Sequence, residues 1–160
     1  MTAKNDAAFN AYTQPTPRLA ITMPASVGPS TDIFLVRQYR HAAGGYLLEI
    51  PAGKLDPGEA PEECARRETE EEIGQSVGRL EKLGAILTTP GFTDEIIHLY
   101  AGYDLVATAA HTEPDEDLTV VRMPFAEAVA MVERGEIEDA KTMAALLLAA
   151  RRAPGSGGPG

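Results

Sequence analysis

With 160 residues, the chain suits a single folded domain and is too short to hold a second catalytic domain. Its formal net charge of -10 at pH 7 argues against a nucleic-acid polymer as partner, because affinity for a phosphate backbone normally comes from clustered Lys and Arg. The single cysteine, Cys64, excludes an internal disulfide, and no apolar run approaches the ~20 residues of a membrane span. Together with an apolar content of 44%, these features predict a globular protein of the cytoplasm without a membrane partner.

The predicted elements begin after a flexible N-terminal arm. Residues 1–17 are rich in Asn, Thr, Ala and Pro, which is typical of an unstructured arm, so we expect the domain to start at about Arg18. The first predicted strands are residues 19–23, 33–36 and 46–50. Two turn sequences follow, Pro51-Ala52-Gly53 and Asp56-Pro57-Gly58, because Pro fixes φ and Gly tolerates positive φ. A loop therefore leads from the third strand into a helix.

That helix has clear start and stop signals. Pro61 is favoured at a first helical position and Gly74 is placed to end the helix, so we predict a helix over residues 61–73. Further strands are predicted over residues 83–89, 95–105 and 119–123, and further helices over 125–134 and 140–152. Residues 153–160 form a predicted disordered Gly/Pro tail. Strands mixed with helices without regular βαβ alternation indicate an α+β sandwich with a mixed sheet over residues 18–152.

The predicted helix and the loop before it are strongly acidic. Seven glutamates and two arginines lie between Glu59 and Glu72. At 3.6 residues per turn, Glu68, Glu71 and Glu72 share one face of the helix. Carboxylates so close together repel one another unless solvent or a cation neutralises them. The pattern therefore indicates either a solvated acidic face or a site for Mg²⁺, a hard cation that prefers carboxylate, carbonyl and water oxygens.

Glycines and charged residues recur at fixed spacing across this loop and helix. Gly53 is followed after five residues by Glu59, after seven more by Arg67-Glu68, after two more by Glu71-Glu72 and after one more by Gly74. The pattern resembles the Nudix box, with Thr69 and Gln75 at positions where the family usually has aliphatic residues. The resemblance implies a Nudix-type α/β/α sandwich with a mixed β-sheet. It also implies a hydrolase that cleaves the diphosphate of a nucleoside diphosphate linked to another moiety.

Position by position, the resemblance implies a metal site on this helix. Glu68 and Glu72 would be the principal Mg²⁺ ligands, and Glu71 would be a further ligand or would hold a water. The Ala52 carbonyl would add a backbone ligand. Mn²⁺ is an expected substitute for Mg²⁺, and Glu71 and Glu72 are the implied catalytic carboxylates of the helix.

The other positions of the box are implied to be structural. Gly53 would let the loop turn sharply, and Gly74 would end the helix. Arg67 can reach Glu71 one helical turn further along, so we expect it to orient carboxylates rather than to contact substrate. Glu59 is expected to be a structural partner of the loop.

The sequences that flank the box resemble the ADP-ribose pyrophosphatase branch of the family. Residues 36–40, 48–54 and 90–95 carry this likeness. It implies a small-molecule substrate, ADP-ribose or an ADP-sugar, converted to AMP and a sugar phosphate, and it implies a homodimer. Members of this branch usually have a longer N-terminal strand region that exchanges across the dimer, whereas about thirty residues precede Ile33 here.

Three residues are candidates for substrate binding. Arg40 could bind a phosphate through its guanidinium, or it could form a surface ion pair. Glu49, on a strand beside the box, could serve the metal site or a structural salt bridge. Phe92, like Tyr39 and Tyr46, could stack on a nucleotide base, although we expect at least two of these three aromatic residues to pack in the core.

The candidate general base lies in an acidic loop. The branch typically carries an acidic residue there that positions the attacking water, and we assign this role to Glu116, with Glu113 as the reserve; a solvated turn is the alternative. Two other functions stay open. The substrate could be a dinucleoside polyphosphate or another nucleotide sugar, or the chain could be a non-catalytic module that senses a nucleotide. A structural acidic domain without any ligand is the third alternative.

Overall fold

The computed structural model describes residues 19–24, 32–108 and 118–152 of the chain. These residues form seven strands, three α-helices and a short 3-10 turn. The strands are β1 (Leu19–Pro24), β2 (Asp32–Arg40), β3 (Gly45–Glu49), β4 (Ala52–Lys54), β5 (Gln75–Leu87), β6 (Ile96–Ala107) and β7 (Leu118–Pro124). The helices are α1 (Pro61–Ile73), α2 (Phe125–Glu133) and α3 (Ala140–Arg152), and the 3-10 turn is His41–Ala43.

The strands are arranged in two sheets. In the four-stranded sheet, of order β4-β1-β6-β5, β1 runs parallel to β6 and the other neighbours are antiparallel. The three-stranded sheet, of order β3-β2-β7, is antiparallel throughout. The predicted mixed sheet is therefore confirmed. Strands β3 and β4 belong to different sheets, and only Ile50 and Pro51 connect these two strands.

Both sheets and the two C-terminal helices contribute to the main core. Its buried residues include Ile33, Leu35, Ile50, Leu83, Leu99, Phe125, Ala128, Ala145 and Leu146. Alternate residues of β6 face opposite ways, so that Leu99 lies in the main core whereas Tyr100 packs with Cys64 and Ala65 of α1. Helix α1 therefore covers one face of the four-stranded sheet and the main core covers the other, which confirms the predicted sandwich.

The helices lie where the sequence predicts them, whereas the strands differ. Helices α1 and α3 have the predicted bounds, and α2 ends one residue earlier than predicted. Strand β5 begins at Gln75 rather than at residue 83, because its polar first half pairs with β6 from Gln75 to Lys82 before a register shift. Strand β4 was not predicted, since its three residues become a strand only by pairing with β1. The predicted arm (1–17) and tail (153–160) lie outside the described residues. Among the described residues, no helix is long and apolar enough to cross a membrane.

The two ends of α1 follow from its sequence. At the start, Pro61 occupies the first turn and the Glu63 carboxylate accepts a hydrogen bond from the Ala60 N–H at 3.2 Å. At the end, Gly74 adopts φ 63° and ψ 39°, and its N–H donates to the Glu70 carbonyl at 3.0 Å. The Gly74 carbonyl in turn accepts from the Thr108 N–H at 2.8 Å. This left-handed residue thus ends the helix and joins it to the end of β6.

Replacing Gly74 by Ala tests this role. A left-handed conformation costs a residue with a Cβ atom about 1 kcal/mol, so we expect Gly74→Ala to lower the free energy of unfolding by that amount and the urea midpoint by about 0.5 M. Gly45→Ala is the matched control, because Gly45 does not have a positive φ and a Cβ atom there would meet nothing within 4 Å. Equal midpoints for the two variants would contradict the assignment.

Candidate functional site

The three glutamates predicted to share one face of α1 differ in their exposure. Glu72 is buried, with 5% of its surface exposed. The Glu68 side chain is 14% exposed and the Glu71 side chain 43% exposed. The face therefore runs from a buried carboxylate to one that reaches solvent.

Two of these carboxylates lie against the same short piece of backbone. The Ala52 N–H donates to Glu72 Oε2 at 3.0 Å. A Cβ atom built on Gly53 would overlap the carboxylate of Glu68, so that carboxylate occupies space that only a glycine leaves open. We call Ala52 and Gly53 the corner. Both carboxylates thus lie against the start of β4, and their joint role as metal ligands stays a prediction.

Arg67 connects the loop, the helix and the start of β4. Its guanidinium forms a fork with Glu59, with Nε–Oε1 at 2.9 Å and Nη2–Oε2 at 3.0 Å. Its Nη1 atom donates to Glu68 Oε1 at 2.7 Å and to Glu71 Oε2 at 3.0 Å. A further bond from Nη2 reaches the Lys54 carbonyl at 3.0 Å. One guanidinium thus contacts three carboxylates, and the orienting role of Arg67 stays a prediction.

Charge pairing with Arg67 changes the pKa of both partners. The hydrogen bonds to Glu59 are the main cause that raises the pKa of Arg67 further above its ordinary range. The same bonds lower the pKa of Glu59 to about 2, with the Asp56 N–H, which donates to Glu59 Oε2 at 2.9 Å, adding to the effect. Glu59 is therefore ionised at neutral pH, and its hydrogen bonds connect the turn at Asp56 to Arg67 of α1.

The donor set of this region suits a hard divalent cation. The candidate ligands are the carboxylate oxygens of Glu68, Glu71 and Glu72 and the carbonyl of Ala52, and oxygen donors favour Mg²⁺ or Mn²⁺ over softer ions. No three His, Cys, Asp or Glu side chains within the described residues already converge on one metal position. The reason is local: Glu72 bonds to the Ala52 N–H, whereas Glu68 and Glu71 bond to Arg67. Binding a cation would require these carboxylates to shift.

The candidate substrate residues Arg40 and Glu49 are partners of each other. Arg40 donates to Glu49 through Nε at 2.7 Å and Nη2 at 2.9 Å. Glu49 is 1% exposed and also pairs with Lys141. Burial raises the pKa of Glu49, but its bonds and charge contacts with Arg40 and Lys141 outweigh burial and hold that pKa below its ordinary value. The salt-bridge alternative thus describes the observed contact, and a role in substrate binding stays a prediction for both residues.

The aromatic candidates are not in the core. Tyr39 is 46% exposed, Tyr46 45% and Phe92 88%, so the expectation that at least two of them pack inside is wrong. Tyr39 and Tyr46 are paired across β2 and β3 with ring centroids 5.4 Å apart, beyond the last core residue of β2, and Arg37 lies 4.0 Å from the Tyr46 ring centroid. Phe92 lies in the loop between β5 and β6. All three rings thus lie at the surface of the described part of the chain, and stacking on a base stays a prediction.

The general-base candidates lie outside the described residues, and three residues near Glu49 and Ile50 were not predicted. Glu116 and its reserve Glu113 lie in the segment 109–117, outside the described residues, and stay predictions. Conversely, no signal in the sequence connects Asp139, Lys141 and Thr142 with the site. Lys141 nevertheless contacts Glu49, and Thr142 contacts Ile50. Asp139 contacts both Lys141 and Thr142. Asp139 and Thr142 have the spacing of a helix cap, but only the folded chain shows what lies next to that cap.

Known proteins resemble this chain in sequence and in fold. A family model described as NUDIX domain matches residues 16–146. The ADP-ribose pyrophosphatase of Bacillus subtilis (strain 168) is 41% identical over 116 residues, which cover 71% of this chain and 63% of that protein. The GDP-mannose pyrophosphatase of Yersinia enterocolitica serotype O:8 / biotype 1B (strain NCTC 13174 / 8081) is 40% identical over 124 residues, which cover 72% of this chain and 64% of that protein. The chain therefore spans less than two thirds of the length of these two relatives.

A solved structure supports the same relationship. The crystal structure of an ADP compounds hydrolase superimposes with a TM-score of 0.73 at 26% sequence identity, covering 83% of this chain and 70% of that chain. The mixed α+β fold is thus shared with an ADP compounds hydrolase.

The pair of Arg67 and Glu59 gives a testable pH dependence. Because folding lowers the pKa of Glu59 from 4.5 to about 2, ionised Glu59 stabilises the fold fully above pH 4.5, and that contribution is lost as the pH falls from there toward 2. We expect Glu59→Gln to be less stable than the wild type at pH 7, and the difference in urea midpoint to shrink between pH 5 and about 2.5. Glu70→Gln is the charge-matched control from the exposed side of α1. A difference that stays constant over this pH range would contradict the role of Glu59.

Proposed function

The chain belongs to the NUDIX domain family, and from that premise we propose that it hydrolyses the diphosphate of a nucleoside diphosphate linked to a sugar. The leading substrate is ADP-ribose or an ADP-sugar, converted to AMP and a sugar phosphate. The observation that carries the proposal is the approach of Glu68 and Glu72 to the same corner, with Arg67 bound to Glu59, Glu68 and Glu71. This arrangement has the oxygen donors that a diphosphate-bound cation needs.

The choice of substrate rests on the relatives. One is named ADP-ribose pyrophosphatase and another GDP-mannose pyrophosphatase, at 41% and 40% identity. Their names share a nucleoside diphosphate joined to a sugar and differ in the base and in the sugar. We therefore propose this substrate class with ADP-ribose first, supported by the structural likeness to an ADP compounds hydrolase, and keep GDP-mannose as the second candidate.

Each part of the site has a proposed task. Glu68, Glu72, Glu71 and the Ala52 carbonyl would hold Mg²⁺, for which Mn²⁺ is the proposed substitute. The bound cation would neutralise charge on the diphosphate and lower the pKa of an attacking water. Arg67 keeps the carboxylates of the helix oriented. Glu116 is proposed to accept a proton from the attacking water, while Phe92 and Arg40 are proposed to contact the base and a phosphate.

Two further properties belong to this proposal. The branch of the family that the flanking sequences resemble implies a homodimer, which sedimentation at several protein concentrations tests directly. A nucleotide-sugar substrate is also consistent with the cytoplasmic location that the sequence predicts. Neither property is needed for the metal chemistry of the box.

Neutralising one metal ligand at a time tests the site. Gln at position 72 can still accept the Ala52 N–H but has lost its charge, so we expect Glu72→Gln and Glu68→Gln to fold and to lose about a hundredfold or more in kcat. Glu70→Gln removes the same charge from an exposed position of the same helix and should retain wild-type turnover. Steady-state kinetics in Mg²⁺, with circular dichroism as the folding check, decide the outcome. Wild-type rates in both ligand variants would exclude the proposed metal site.

A substrate panel tests the reaction itself. We expect Mg²⁺-dependent release of AMP from ADP-ribose, followed by mass spectrometry, to be faster than turnover of dinucleoside polyphosphates and nucleoside triphosphates. GDP-mannose is included because of the second relative. Faster release of GMP from GDP-mannose would reassign the substrate within the class. No turnover of any compound by a folded, metal-binding protein would replace hydrolysis by the nucleotide-sensing alternative.

A further inference from the structure

We propose that Thr142 is a positioning residue for the corner, because its hydroxyl fixes the backbone that leads into Ala52 and Gly53. The inference rests on the proposed function, in which the corner and the glutamates of α1 hold a divalent cation. Thr142 lies on α3, 92 residues along the chain from Ile50, and is completely buried. It has no part in the box, and its proposed effect on the cation passes through the backbone.

A chain of hydrogen bonds links Asp139 to Ile50 through Thr142. Asp139 Oδ2 accepts from the Thr142 N–H at 3.0 Å and from the Thr142 hydroxyl at 2.6 Å. The Thr142 hydroxyl donates to Asp139 Oδ2, so its proton points toward Asp139. Thr142 Oγ1 is then left to accept the Ile50 N–H at 2.9 Å. Because Ile50 is completely buried, water cannot replace this acceptor.

The backbone between Ile50 and the corner is short and stiff. Only Pro51 separates Ile50 from Ala52, and its ring fixes φ, so a shift of Ile50 is passed on to Ala52 rather than absorbed. The Ala52 N–H is the group that binds Glu72, and Gly53 is the residue against which Glu68 lies. The strand segment is thus held from α3 at Ile50 and from α1 at Ala52.

A cluster of four charges keeps α3 in place beside this segment. Lys141 pairs with both Glu49 and Asp139, and Arg40 pairs with Glu49. Two cations and two anions balance, and Glu49 and Lys141 have side chains that are 1% and 11% exposed. Asp139 therefore does two things at once: it orients the Thr142 hydroxyl and, through Lys141, ties the start of α3 to the end of β3.

The experiment compares two replacements of Thr142 in the full chain. Thr142→Val keeps the shape and removes the hydroxyl, whereas Thr142→Ser keeps the hydroxyl. Arg152→Ala is the matched control, because Arg152 anchors the opposite end of α3 to the Lys82 and Leu83 carbonyls at 2.7 Å each. Mn²⁺ affinity is measured by electron paramagnetic resonance, and amide hydrogen exchange at Ile50 and Ala52 is measured in the metal-free protein.

The positioning role predicts a specific pattern. Thr142→Val should weaken Mn²⁺ binding about tenfold and accelerate exchange at Ala52 as well as at Ile50. Thr142→Ser should stay within about twofold of the wild type. Arg152→Ala should lower the melting temperature without changing Mn²⁺ affinity. Wild-type Mn²⁺ affinity in Thr142→Val, faster exchange confined to Ile50, or an equal loss of Mn²⁺ affinity in Arg152→Ala would each overturn the proposal.

The experiment still tests the proposal if Thr142→Val does not fold or if the wild-type protein does not bind Mn²⁺. If Thr142→Val does not fold, Thr142→Ala takes its place: it also removes the hydroxyl that accepts the Ile50 N–H, and unchanged Mn²⁺ affinity and Ala52 exchange in that variant would overturn the proposal. Wild-type protein that binds no Mn²⁺ would instead exclude the proposed function. In that case exchange at Ala52 still decides whether Thr142 positions the corner.

Discussion

The rest of the site depends on the ion pairs of Arg67, which offset the repulsion between neighbouring carboxylates. A diphosphate-bound cation needs several carboxylates close together, yet such carboxylates repel one another and would push a loop and a helix apart. Arg67 lies among Glu59, Glu68 and Glu71 and donates to all three. Its fork with Glu59 fixes the loop, and the single nitrogen that it shares between Glu68 and Glu71 fixes the helix face. The acidic loop and helix can therefore stay folded next to each other before any cation binds.

The second constraint is the crossing between the sheets. The corner follows the two residues through which the chain leaves the three-stranded sheet and enters the four-stranded one, so the site lies at the join of the two layers. Hydrogen bonds from α1 and α3 reach this join at Ala52 and Ile50. The packing of the sandwich and the geometry of the candidate site therefore share one segment of backbone, which is held from both α1 and α3.

The parts of this arrangement that depend on local sequence were predictable. Helix α1 has its predicted bounds because Pro61 and Gly74 act within a few residues, and its acidic face follows from the helical period. Strand β4 and the first half of β5 were not predictable, since pairing with distant strands creates them. The contact of Thr142 with Ile50 was hidden for the same reason. The exposure of Tyr39 and Tyr46 depends on where the core ends along β2, which the alternation of side chains along a strand does not reveal.

Because Cys64 of α1 is buried, the rate at which its thiol is labelled reports on opening motions of this helix. Its sulfur lies beneath the guanidinium of Arg67, 3.5 Å from Nη2, and 3.4 Å from the Lys54 carbonyl, and the residue is completely buried. A thiol reagent can reach this buried residue only after the packing of α1 on the sheet opens, and Cys64 is the only cysteine in the chain. The labelling rate of the wild-type protein thus measures how often the packing of α1 opens. A ligand that contacts both the helix and the corner lowers that rate in proportion to its occupancy.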